Sequence, residues 1–255
     1  MSTSNAGSGS QASPPFSAHA TPTGRLQPAR RDVPRGWWVM FAGALLIAVY
    51  ALGYLILGDR IYPPNLADSF RARPWGIYTH AFAAMFALGL GAFQFRAGLR
   101  ERRPRVHRVI GRIYVPAALL TGASGLYMAA YSHSGMITHL GFGFLGAAVL
   151  ATTSVAFIRI RALNIVAHRE WMIRSYALIF AAVMLRVLLP LLIIAYKGDF
   201  DPAYRWVAWL CWVPNVLWAE WYIRRSRESN AVPGPSRRPA LVTPANAPRA
   251  RRART

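Results

Sequence analysis

Four histidines stand out because each lies in or beside a different long apolar run. They are His80, His107, His139 and His168. If the runs cross a membrane as consecutive helices, two of these imidazoles lie near each face of the bilayer. Low-spin haem b takes two axial ligands, which imidazoles on facing helices can supply. The spacing favours an electron carrier with one or two haems, held by His80 with His139 and by His107 with His168.

The residues that share a helical face with these histidines, at 100° per residue, are mostly small or polar. They are Ala84, Ala87, Gly91 and Gln94 for His80; Gly111, Tyr114, Ala118 and Gly125 for His107; Gly143, Gly146 and Thr153 for His139; and Met172, Ser175, Ala182 and Arg186 for His168. Small or polar faces of membrane helices usually point towards neighbouring helices. We therefore expect all four histidines to face the interior of a bundle.

Three arginines complete the predicted cofactor site. Arg186 shares the face of His168 but lies five turns further along, near the opposite membrane surface. An arginine within a membrane needs an anionic partner, and a propionate of the haem at that surface would serve. Arg112 and Arg174 are candidates for binding the propionates of the other haem.

Two alternatives to the haem hypothesis stay open. Histidines near membrane interfaces can be purely structural, because their polar tips reach water or lipid headgroups. A non-redox transporter or lipid-binding protein would instead use the arginines for an anionic headgroup or substrate, with the histidines as proton relays. His107 and His168 precede their apolar runs, which makes a ligand role there shallow. Arg186 has alternative partners in Asp199 and Asp201.

The elements that must position these residues are six apolar runs, each about long enough to cross a hydrocarbon core of roughly 30 Å. The composition agrees, because 54% of the 255 residues are hydrophobic and only 15% are charged. We predict membrane helices over residues 37–57, 75–95, 109–131, 137–158, 171–196 and 206–223. The predicted fold is an all-α integral membrane protein, a bundle of six transmembrane helices with a four-helix core at residues 75–196.

Polar tails flank the predicted membrane domain, which covers residues 36–224. Residues 1–35 are rich in serine, glycine, proline and arginine, and residues 225–255 are rich in arginine and proline. Neither segment has enough apolar sequence to form a core, so both are predicted to be disordered.

The net charge of +21 follows the pattern of a membrane topology rather than that of a nucleic-acid-binding surface. Of the 30 arginine and lysine residues, 24 lie on one side of the predicted helices, five on the other, and Arg186 within a helix. Because basic residues collect on the cytoplasmic side, we predict a multi-pass protein of the inner (plasma) membrane with both termini cytoplasmic. The expected partners are the lipid bilayer and a quinol or other small-molecule electron donor or acceptor; no nucleic acid is expected.

Two phrases of the sequence begin at histidines of the second pair. They are HRVIGRIYV from residue 107 and HREWMIRSYAL from residue 168. Together with His80 and Gln94, they resemble a bacterial family of predicted membrane proteins of unknown function, over about residues 75–196. The resemblance implies an integral membrane protein and no particular activity.

The order of the histidines also resembles the transmembrane di-haem cytochrome b reductases of the ascorbate and ferric-reducing type. Their six-helix layout takes one haem between helices 2 and 4 and another between helices 3 and 5. His80 and His139 match the first pair, and His107 and His168 match the second. This likeness is one of architecture, and it implies a transmembrane oxidoreductase.

Overall fold

The computed structural model describes residues 35–231. Within this range the regular secondary structure consists of α-helices and short 3₁₀ helices, and there is no strand. Most of the two predicted disordered tails lies outside the described residues. The α-helices are α1 (Arg35–Leu57), α2 (Ala67–Ala72), α3 (Pro74–Gln94), α4 (Ala97–Arg102), α5 (Pro104–Ala129), α6 (Met136–Arg161), α7 (Ile165–Ile179), α8 (Ala181–Ala195), α9 (Phe200–Leu210) and α10 (Val213–Ala231).

Five helical segments of the described chain are long and apolar enough to cross a membrane. They are Arg35–Ile61, Pro74–Gln94, Pro104–Ala129, Met136–Arg161 and Ile165–Ala195, the last of which comprises α7 and α8. These segments correspond to the first five predicted runs. The sixth predicted run falls in α9 and α10, which are separated by a break at Cys211 and Trp212.

Helices α5 and α7 begin earlier than the apolar pattern predicts, as does α9, which starts at Phe200. Proline occupies the first turn of α5, where its missing N–H costs nothing, and α5 therefore starts at Pro104. The side chain of Asn164 caps α7 by accepting a hydrogen bond from the Ala167 amide at 3.0 Å. His107 and His168 consequently lie inside helices, and the expectation that they precede them is wrong.

The C-terminal boundary of the membrane domain also differs from the prediction. Residues 225–231 were expected to be disordered, yet α10 continues to Ala231. Arg227 in this extension donates two hydrogen bonds to the carboxylate of Glu170 on α7. This ion pair gives the polar end of α10 a partner that an isolated tail would lack.

Consecutive long helices pack side by side, with α3 on α1, α5 on α3, α6 on α5 and α7 on α6. Gly122 of α5 and Gly146 of α6 permit close approach, because a Cβ at either would lie 3.1 Å from the other's carbonyl oxygen. Alternation of direction brings the helix ends together in two layers. We call the layer with the connections 95–103 and 162–164 the basic end, and the layer with 58–73, 130–135 and 196–199 the opposite end.

Asn215 forms hydrogen bonds with carbonyl groups at the breaks in two neighbouring helical segments. Its Nδ2 donates to the carbonyl of Ala177, just before the break between α7 and α8, at 3.1 Å. The same nitrogen donates to the carbonyl of Cys211, between α9 and α10, at 3.0 Å. A side chain inserted into the helical hydrogen-bond ladder is a recognised cause of such breaks. Asn215 therefore satisfies carbonyl groups that the interrupted helices leave without a regular partner.

Replacement of Asn215 should destabilise the bundle. We expect Asn215→Leu to lower the free energy of unfolding by about 1–3 kcal/mol, because two carbonyls lose their donor in an apolar setting. Thermal unfolding in detergent micelles measures the effect. Asn65→Leu is the control, because Asn65 is exposed at the opposite end. Equal melting temperatures for the two variants would contradict the role given to Asn215.

Candidate functional site

His107 and His168 both lie at the basic end, near the starts of α5 and α7. His168 Nδ1 lies 2.8 Å from the Ala156 carbonyl oxygen of α6. Because a carbonyl can only accept, this nitrogen carries the proton and Nε2 is left as an acceptor. His107 Nδ1 is buried without a hydrogen-bond partner among the described residues. Each ring therefore has a nitrogen that is not engaged by the protein.

A cluster of three hydroxyl groups in the bundle interior places these two histidines at the same height along the bundle. The Ser175 hydroxyl lies 2.8 Å from the Tyr114 hydroxyl of α5 and 2.7 Å from the Thr153 hydroxyl of α6. Tyr114 follows His107 by seven residues, and Ser175 follows His168 by seven. Since α5 and α7 both start at the basic end, each histidine lies about 10 Å along its helix from the Tyr114–Ser175 contact.

Aromatic side chains fill the interior beside this cluster. The Tyr176 hydroxyl donates to the Leu88 carbonyl of α3 at 3.0 Å. Gly91 is required here, because a Cβ at this position would collide with the rings of Tyr176 and Tyr114. Gln94 lies closer to the histidines and donates through Nε2 to the His107 carbonyl at 3.3 Å. Gly91, one of the small residues on the helical face of His80, thus leaves room for two tyrosine rings.

His80 lies at the opposite end and faces α5. Its Nδ1 is 3.3 Å from the Ser124 hydroxyl, which itself donates to the Leu120 carbonyl at 2.6 Å. With the serine proton used in that bond, His80 Nδ1 is the donor and Nε2 is left free. The ring packs over Gly125, where a Cβ would lie 3.2 Å from His80 Cε1.

His139, the predicted partner of His80, lies on α6. It is half-buried near the start of α6, and no hydrogen bond within residues 35–231 involves its side chain. Helices α3 and α6 both pack on α5 rather than closely on each other. A Cβ at Gly143, one turn along, would meet open space. The pairing of His139 with His80 stays a prediction.

Arg186 lies in α8 on the side of the bundle that carries His80. Its guanidinium carbon is 5.5 Å from the centre of the Tyr50 ring. The guanidinium is also near enough to His80, Tyr54 and Tyr204 to interact with them electrostatically. The structure thus brings together Arg186 and His80, which the sequence analysis assigned to the same haem.

The acidic partners considered for Arg186 are engaged elsewhere. Asp201 lies 3.1 Å from Nε2 of His133 and accepts a hydrogen bond from the Ser134 hydroxyl at 2.6 Å. Asp199 caps α9 by accepting from the Asp201 amide at 3.2 Å. Neither Asp199 nor Asp201 forms an ion pair with Arg186 among the described residues.

Of the two arginines proposed for the basic-end propionates, one already has a carboxylate partner. Arg174 binds Glu220 of α10 through two hydrogen bonds, of which the Nη2–Oε2 bond is 3.0 Å long. Arg112 is exposed and forms no ion pair within the described part of the chain. Sequence reasoning missed Glu220, although a carboxylate inside the sixth apolar run requires a cationic partner and was itself a signal.

The five long apolar helices, with polar groups paired between them, define an integral membrane protein. Residues 77–223 match the family described as "Predicted membrane protein (DUF2306)", and the chain belongs to this family. The resemblance seen in the two histidine phrases is thereby confirmed. No curated protein and no solved structure matches the chain.

A matched pair of glycine variants tests the environment of His80. We expect Gly125→Leu to lower the free energy of unfolding by about 1–3 kcal/mol, because the new side chain overlaps the imidazole. Gly143→Leu should be nearly neutral, because its Cβ direction is open. Thermal unfolding of both variants in the same detergent measures the difference. A larger loss of stability for Gly143→Leu than for Gly125→Leu would contradict the contacts described.

Proposed function

We propose that this protein is a transmembrane electron carrier with haem b between His107 and His168 and a second haem between His80 and His139. One observation carries the proposal: His107 and His168 lie level on two parallel helices, each with an uncommitted ring nitrogen. His107 Nδ1 is a buried polar atom without a partner in residues 35–231, as an unfilled ligand position would be. If bound, haem would supply one-electron transfer, and the paired histidines would hold its iron.

The chain's own residues would orient and shield the ligands. The Ala156 carbonyl fixes the tautomer and direction of the His168 ring, the same role that such carbonyls have beside metal-bound histidines. The Ser124 hydroxyl fixes His80 in the same way. Thr153, Tyr114 and Ser175 satisfy one another, so they keep three helices in register without competing for the imidazoles.

The proposed topology has six membrane-spanning segments around a four-helix core formed by α3, α5, α6 and the α7–α8 segment. The broken pair α9 and α10 forms the sixth segment. Because basic residues collect on the cytoplasmic side, the arginine excess supports an inner-membrane protein whose basic end and both termini face the cytoplasm. Electrons would pass between a donor such as a quinol and a small-molecule acceptor across the membrane.

The visible spectrum tests the proposal directly. Protein purified from haem-replete cells should give a reduced b-type spectrum and two haems per chain in a pyridine haemochrome assay. Binding of the cofactor by the paired histidines within an apolar interior would retain it during purification. Colourless protein that gains no haem on reconstitution would reject the electron-carrier function.

Single alanine variants test how the ligands pair. His107→Ala and His168→Ala should each remove one haem, and His80→Ala and His139→Ala should each remove the other, because helices about 30 Å long separate the two ends. His133→Ala is the control, since this histidine is bound to Asp201. Loss of the same haem from His80→Ala and His107→Ala, or four variants identical to the parent, would refute the arrangement.

A second candidate function, binding of anionic lipid, has its own observation. A cleft of about 520 Å³ at the basic end has an apolar floor, which includes Leu90 and Phe93, and a rim with Arg96, Arg102 and Arg103. Such a combination suits the headgroup and acyl chain of an anionic phospholipid. Haem-free protein that co-purifies with stoichiometric anionic phospholipid would favour this function over electron transfer.

A further inference from the structure

Arg186 is a cation within a membrane-spanning segment and has no carboxylate partner among the described residues. It lies nine residues before the end of α8, which places its Cα about 13 Å from that end. The groups around its guanidinium include no carboxylate: they are the imidazole of His80, the hydroxyls or rings of Tyr50, Tyr54 and Tyr204, and the thiol of Cys211.

Every acidic residue at the opposite end is accounted for by another contact. Asp59 and Asp68 lie 3.7 Å and 3.3 Å from nitrogens of Arg71. Asp201 pairs with His133, and Asp199 caps α9. A charge at this depth is costly unless an anion or water compensates for it. An anion that compensates for this charge would therefore come from outside the described residues.

Arg186 is accessible to a ligand, and hydrogen-bond donors lie beside it. The side chain of Arg186 is exposed, so a ligand can reach it. Tyr54, by contrast, is only 4% exposed, and its hydroxyl lies 3.2 Å from that of Tyr50. The tyrosine hydroxyls and the guanidinium are hydrogen-bond donors, and the adjoining surfaces of α1 and α8 are apolar.

We propose that Arg186, with the hydroxyls of Tyr50 and Tyr54, forms a binding site for the carboxylate of an apolar ligand. A single guanidinium balances one negative charge, and its planar fork matches a carboxylate in two parallel hydrogen bonds. The apolar helix surfaces beside it receive the rest of the ligand. Two sources have this chemistry: a free apolar monocarboxylic acid, and a propionate of haem bound at His80. The second source rests on the proposed function, and the first does not.

Binding of radiolabelled decanoate to haem-free protein in detergent micelles, measured by equilibrium dialysis against protein-free micelles, tests the first source. The parent protein should bind one decanoate per chain saturably. Arg186→Gln should weaken binding at least tenfold, and Arg186→Lys should weaken it less because the charge is kept. Arg205→Gln is the control, since that exposed arginine at the same end donates to the Ser134 carbonyl and should bind like the parent.

The haem-loaded protein tests the second source. If a propionate is the ligand, Arg186→Gln should shift the midpoint potential of the haem that His80→Ala removes, while leaving the other haem unchanged. The fold of Arg186→Gln is checked by its melting temperature without ligand, which should not fall, because the variant lacks an unpaired charge.

The outcomes separate this site from the proposed function. Colourless protein that binds decanoate through Arg186 would reject the electron carrier and support the carboxylate site. Haem-containing protein whose potentials and decanoate binding are both indifferent to Arg186→Gln would overturn the carboxylate site and leave the electron carrier standing. A variant that unfolds is replaced by Arg186→Lys, for which unchanged decanoate affinity and unchanged potentials would likewise overturn the site.

Discussion

The hydroxyl of Ser175 forms hydrogen bonds with hydroxyls from two other helices, Tyr114 of α5 and Thr153 of α6. In a bilayer these groups have no water to bind, so each must find its partner within the protein. Their mutual satisfaction sets the axial register of α5, α6 and α7. The level position of His107 and His168, and with it the proposed ligand pair, depends on that register. A shift of one turn between the helices would separate the imidazoles by about 5 Å.

The membrane helices were predictable from the sequence because continuous apolar length is a local property. Their true ends were not, because the signals there are polar: Pro104 in the first turn of α5 and the capping side chain of Asn164. Arg227, in the extension of α10 to Ala231, pairs with Glu170, which lies 57 residues away in the chain. Local composition does not reveal such a distant ion pair, and residues 225–231 were therefore predicted to belong to a disordered tail.

At the candidate site, too, the sequence predicted which residues share a helical face but not which residues of neighbouring helices they contact. Helical phase correctly assigned His107 and Gly125 to one interior face of α5, five turns apart. It did not reveal that Gly125 packs against His80 of the neighbouring helix, because that contact depends on how two helices slide past each other. Arg174 shows that the sequence also does not reveal which charged residues pair. The sequence offered it to a propionate, whereas the fold supplies the carboxylate of Glu220.

The two bonds of Asn215 have a consequence for biosynthesis. A ribosome delivers residues 165–195 to the membrane before residue 215 has been made. Until residue 215 is made, the Ala177 carbonyl lacks the side-chain donor that lies 3.1 Å from it in the finished fold. A chain that ended before residue 215 would therefore lack this hydrogen bond in its fifth segment, well upstream of its own end.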